Sequence, residues 1–86
     1  MRIKEGYILR NVANTYIIVP SAALDPGKIV SINESGAFLW ERLLSGTDRE
    51  GLIRSLLAEY EVPEDIAAED IDLFLGALRN IGALEE

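Results

Sequence analysis

Two stretches near the start, Tyr7-Ile8-Leu9-Arg10-Asn11-Val12 and Thr15-Tyr16-Ile17-Ile18-Val19, are rich in β-branched and aromatic residues. That pattern predicts two strands. Only Ala13-Asn14 separates them, which is short enough for a tight hairpin, and Asn tolerates the positive φ such a turn needs. Pro20 ends the second strand, and Ser21 to Gly27 reads as a loop with Asp25-Pro26-Gly27 as its turn signal. Lys28-Ile29-Val30-Ser31-Ile32 reads as a third strand. In a meander it lies at a sheet edge, beside the second strand.

From Asn33 onwards the period changes to that of helices. Asn33 is placed to cap the first, its side-chain oxygen accepting the N–H of Ser35 or Gly36. The body carries Ala37, Phe38, Leu39, Trp40, Leu43 and Leu44, and Gly46 closes it. Trp40 is expected in the core beneath the sheet. Thr47-Asp48-Arg49-Glu50 has the form of a capping box, with Thr47 as cap. Behind it Leu52, Ile53, Leu56, Leu57 and Tyr60 share one apolar face. Pro63 suits the first position of a third helix, Glu64 and Asp65 suit its positive end, and the helix runs to about Asn80 before Gly82. With no repeat, low-complexity tract or linker, residues 1–86 read as one α+β domain, a three-stranded antiparallel sheet followed by three helices.

The third helix is apolar over a wide arc. Ala67, Ile71, Phe74, Leu75 and Leu78 form a core stripe at about 100° per residue. Ile66, Leu73 and Ala77 fall in a second sector, about 140° away. Scattered surface hydrophobes would account for these. A second surface for a partner would account for them too, and an open strand edge nearby would complete a groove.

Composition narrows the chemistry. With no Cys and no His among 86 residues, disulfides, thiolate or imidazole metal sites and nucleophiles built on Cys or His are excluded. A domain this small without staples fits a reducing cytoplasm. Arg2 and Lys4 are followed by Glu5 and Gly6 with no apolar run, so neither a targeting segment nor a membrane span is expected. Residues 1–33 hold four cations against two acids, whereas residues 34–86 hold four arginines against thirteen acids. The acidic part would repel phosphates, so nucleic acid is not an expected partner. Asp65, Glu69 and Asp72 share a helix face but lack the loop a calcium site needs, so they read as a solvated acidic face and no metal or cofactor is expected. Lys28 and Ser31 point to opposite faces of a strand, and no glycine-rich phosphate loop is present. Catalysis by this chain is not expected.

The order Ile32-Asn33-Glu34-Ser35-Gly36-Ala37-Phe38-Leu39-Trp40, Gly46-Thr47, Tyr60-Glu61-Val62, Asp70-Ile71-Asp72-Leu73-Phe74-Leu75-Gly76-Ala77-Leu78 and Ile81-Gly82-Ala83-Leu84 resembles the PqqD-like family, named for a pyrroloquinoline quinone biosynthesis protein. The resemblance covers essentially the whole chain and implies a fold similar to a winged helix. It also implies a recognition element for ribosomally made, post-translationally modified peptides. Such an element binds a precursor's leader as an added strand and presents it to a modifying enzyme, often a radical S-adenosylmethionine protein. Carried onto this sequence, the groove is Lys28, Ile29, Val30, Ser31 and Ile32 with Ile66, Asp70, Leu73, Phe74 and Ala77. Where quinone-pathway members carry Cys-Asp-Gly, this chain has Leu44-Ser45-Gly46, which favours a relative serving another peptide. An open strand edge also allows pairing with a second copy of the chain. Two other readings stand beside the adaptor, a winged-helix DNA-binding regulator and a small structural interaction domain. A DNA reader needs a basic stripe, yet the third helix offers Glu64, Asp65, Glu69, Asp70 and Asp72 against Arg79.

Overall fold

The computed structural model describes residues 1–20 and 29–86. In chain order its elements are β1 (Arg2–Ile3), β2 (Tyr7–Val12), β3 (Thr15–Pro20), β4 (Val30–Ile32), α1 (Glu34–Ser45), α2 (Arg49–Glu59), α3 (Glu64–Asn80) and β5 (Leu84–Glu85). The expected loop over Ser21 to Gly27, its Asp25-Pro26-Gly27 turn, and Lys28 lie outside the described residues.

Val12 pairs with Thr15, so the hairpin loop is Ala13-Asn14, with φ of 51° and 67°. Two left-handed residues give the turn whose twist matches that of the strands it joins. Asn14 takes this conformation readily, whereas Ala13 accepts it at a cost of roughly 1–2 kcal/mol. β3 then pairs antiparallel with both neighbours in the order β2–β3–β4. Strand alternation sends Tyr7, Leu9, Tyr16, Ile18, Val30 and Ile32 to one face, and all of these but Tyr16 pack on or within the core. Ile18 is fully buried there. All three helices contribute to the same core, through Leu39, Trp40 and Leu43, through Leu52, Ile53 and Leu56, and through Ala67, Ile71, Phe74, Leu75 and Leu78. Trp40 is buried, as its place on α1 predicted.

A second, two-stranded sheet escaped the sequence reading. β1 pairs antiparallel with β5, Arg2 opposite Glu85 and Ile3 opposite Leu84, and the Lys4 N–H donates to the Ala83 carbonyl at 2.8 Å. Two-residue strands carry no period to read. This clasp also explains why Thr47 does not cap α2. The Thr47 N–H donates to the Met1 carbonyl at 3.0 Å and the Met1 amino group donates to the Thr47 carbonyl at 2.8 Å. Asp48 caps instead, accepting the Gly51 N–H at 2.7 Å. Tyr60 stands one residue beyond α2, its N–H bonded to the Leu56 carbonyl at 2.9 Å. Pro63 precedes α3 rather than opening it, with an extended ψ of 149°. The third strand is shorter than its apolar run, because Ile29 is exposed and outside β4. Among the described residues no helix is long and apolar enough to cross a membrane.

Candidate functional site

The edge of the larger sheet holds the most distinctive surface. β4 has β3 on one side only among the described strands, and which of its backbone groups stay unpaired follows from the hairpin. A two-residue loop makes Val12 and Thr15 a hydrogen-bonded pair, and such pairs alternate along an antiparallel ladder. The backbone groups of Tyr16 and Ile18 therefore turn towards β4, where Ile32 and Val30 are their partners. Ser31, between those two, directs its N–H and C=O away from the sheet.

Opposite this edge runs one flank of α3. An open groove of about 270 Å³ lies between them, lined by Val30, Ser31, Ile32, Asn33, Ser35, Gly36, Leu39, Asp70, Leu73, Phe74 and Ala77. Leu73 keeps 69% of its surface exposed although it sits mid-helix. Ala77, half-buried, lies one turn further along the same flank. Phe74, only 8% exposed, belongs to the core and forms part of the groove wall as well. The second apolar sector read from the helical wheel is thus real at Leu73 and Ala77, while the stripe of Ala67, Ile71, Leu75 and Leu78 is buried.

Seven of the ten residues expected in the groove, Val30, Ser31, Ile32, Asp70, Leu73, Phe74 and Ala77, line it together. Ile29 and Ile66 are exposed but do not line it, and Lys28 lies outside the described residues. Asn33, Ser35, Gly36 and Leu39 were missed. They come from the first turns of α1, which follows β4 directly and so sits at the end of the same edge. The cap signal at Asn33 was the available clue. Its Oδ1 accepts the Gly36 N–H at 2.8 Å and the Ser35 hydroxyl at 3.0 Å. Gly36 is required for this approach, because a Cβ there would stand 3.0 Å from the Ile32 Cβ and 3.2 Å from the Asn33 Oδ1.

Electrostatics around α3 are uneven. Asp72 is held by Arg49 through two hydrogen bonds of 2.8 and 3.0 Å, which keep its carboxyl below the ordinary aspartate range. Arg79 binds Glu86 at 3.1 and 2.9 Å and lowers that carboxyl likewise. The face shared by Asp65, Glu69 and Asp72 is therefore divided by an ion pair, and no cluster suited to a metal ion is found among the described residues. Asp70, in the groove, has no cation partner among the described residues. The site offers backbone hydrogen-bonding groups, apolar contact and a negative charge, which suit binding.

Residues 17–84 match the family described as coenzyme PQQ synthesis protein D (PqqD). No curated protein gives a significant match. Two solved structures share the fold. One, "TbiB1 in Complex with the TbiA(beta) Leader Peptide", is 24% identical with a TM-score of 0.76, and the alignment covers 99% of this chain and 95% of that one. The other, "Lasso peptide synthetase B1 complexed with the leader peptide", is 20% identical with a TM-score of 0.75, over 99% of this chain and 96% of that one.

Proposed function

The chain belongs to the PqqD family, and from that premise we propose that it is a non-catalytic adaptor that binds the leader of a ribosomally made precursor peptide. The observation that carries this reading is the juxtaposition of an open strand edge at Ser31 with the exposed apolar flank of Leu73 and Ala77 across one groove. An extended peptide added to β4 would draw affinity from main-chain hydrogen bonds and selectivity from side chains seated against α3. The two solved structures of like fold each hold a leader peptide, which supports the reading. Residues 1–86 then act as one recognition domain, in the cytoplasm, presenting the leader to a peptide-modifying enzyme of radical S-adenosylmethionine type. In this reading Lys28, Ile29 and Ile66 also belong to the site. A second copy of the chain would pair through the same edge and so compete with the leader. Duplex DNA is disfavoured, since α3 bears five acidic residues and its Arg79 is engaged by Glu86.

The test is titration of isotope-labelled protein with leader peptides of the precursors encoded beside its gene. Saturable binding with amide shifts centred on Ser31, Leu73 and Ala77 is expected. Binding centred on another face, or none with any neighbouring leader, overturns the proposal.

A further inference from the structure

The groove does not end at Asp70. A second cleft, about 280 Å³, opens beyond it and shares Asn33, Ser35 and Asp70 with the first. Its far wall is apolar, made by Leu56, Tyr60 and Val62. Tyr60 is fixed there by the Phe38 ring, which it meets edge-on at 5.8 Å between centroids. The saddle between the clefts is negative. Asp70 stands on it, Glu34 borders the second cleft, and among the described residues neither has a cation partner. Among the described residues, Arg49 is engaged by Asp72, Arg79 by Glu86, and Arg42 lies over the Phe38 ring.

We infer that the bound segment carries a lysine or arginine between two large apolar side chains, the cation on Asp70, one anchor over Leu73 and Ala77, the other in the cleft of Leu56, Tyr60 and Val62. This rests on the adaptor reading above and adds the chemistry of what is read. An apolar run alone would leave the Asp70 carboxylate desolvated beneath it, an arrangement that costs free energy unless a cation is supplied. The spacing follows from the elements. Helical rise puts Asp70 about 7–8 Å along α3 from the middle of the Leu73–Ala77 pair. Side chains on one face of an extended strand recur about every 6.6 Å. The cation therefore falls about two residues from the first anchor, on the same face of the added strand.

The test uses a phage-displayed library of random 12-residue peptides selected on the intact protein, followed by titration of the best synthetic peptide. Expected are sequences with Lys or Arg at an alternate position between two large apolar residues. The preference for the cation should be lost when selection is repeated on Asp70→Asn. Changing the peptide cation to Gln should weaken binding about 2–5-fold at low salt, should do so much less on Asp70→Asn, and either anchor changed to Ala should weaken both proteins. Binders that Ser31→Pro abolishes, but that show no cation preference or only one anchor, overturn this inference and leave the adaptor reading standing. A library that yields no binder blocked by Ser31→Pro overturns both.

Discussion

Shortening Leu73 to alanine separates binding from folding, because Leu73 stands next to the core residues Phe74 and Leu75 in the chain yet faces the groove. Fully burying a leucine side chain is worth about 1.5–3 kcal/mol. With 69% of Leu73 still exposed, a peptide that covers it gains about 1–2 kcal/mol, so Leu73→Ala is expected to raise Kd about 5–30-fold. Folding loses little at such a site, within about 0.5 kcal/mol, or less than about 4 °C in melting temperature for a domain of this size. Leu75→Ala is the control. That residue is 1% exposed among the core side chains, where leucine truncation costs about 2–5 kcal/mol, about 10–40 °C of melting temperature. Calorimetric melting alongside titration with a bound leader peptide measures both effects. Should Leu73→Ala melt as low as Leu75→Ala, Leu73 is a core residue. Should it bind the peptide as tightly as the parent chain, α3 is not a wall of the site.

The strand edge gives a second contrast. Ser31→Pro removes the outward donor and is expected to abolish peptide binding while the fold survives, whereas Val30→Pro removes a donor directed into β3 and is expected to lower the melting temperature. Circular dichroism melts and peptide titration of both variants distinguish them, and the reverse outcome would mean that the ladder is assigned in the wrong phase. Gly76 lies mid-helix with nothing within 4 Å of where a Cβ would stand. Gly76→Ala is therefore expected to stabilise the chain by about 0.5–1 kcal/mol, a melting rise of about 2–8 °C, with peptide affinity unchanged. The Arg49 hydrogen bonds lower the Asp72 carboxyl, so its contribution to stability is present above the unfolded value and disappears as pH falls through the folded one. Melting temperature followed downwards from about pH 4 should fall less steeply in Arg49→Ala than in the parent, and carboxyl NMR should show Asp72 titrating higher in that variant. Equal titration in both would remove the ion pair from the account.

Wherever a pattern repeats over several residues, it was legible in the sequence. The β-branched runs placed β2 and β3, and the wheel of α3 separated Leu75 from Leu73 before either was seen in space. What stayed hidden depends on residues distant in the chain. Thr47 has the chemistry of a cap, but Met1, forty-six positions away, holds its backbone, and the cap passes to Asp48. The wall of the groove supplied by Asn33, Ser35, Gly36 and Leu39 was hidden for a related reason. A cap motif announces where a helix starts, but not that the turn it starts will border a strand edge on the same side as α3. Ile29 carried the right composition for β4, yet in the fold it is exposed and lies outside the strand.

The clasp of β1 on β5 also bears on the order in which the chain assembles. Joining Ile3 to Leu84 closes a far longer loop than the Ala13-Asn14 turn, which joins neighbours. The entropic cost of closure rises by about 0.6 kcal/mol with each doubling of the open loop. The hairpin and the α2–α3 pair are therefore expected to form first, which shortens the loop that the clasp has left to close. The Lys4 amide, bonded to the Ala83 carbonyl, is expected to exchange with solvent through a local opening of this clasp, ahead of the amides of α2 and α3 in a hydrogen-exchange measurement.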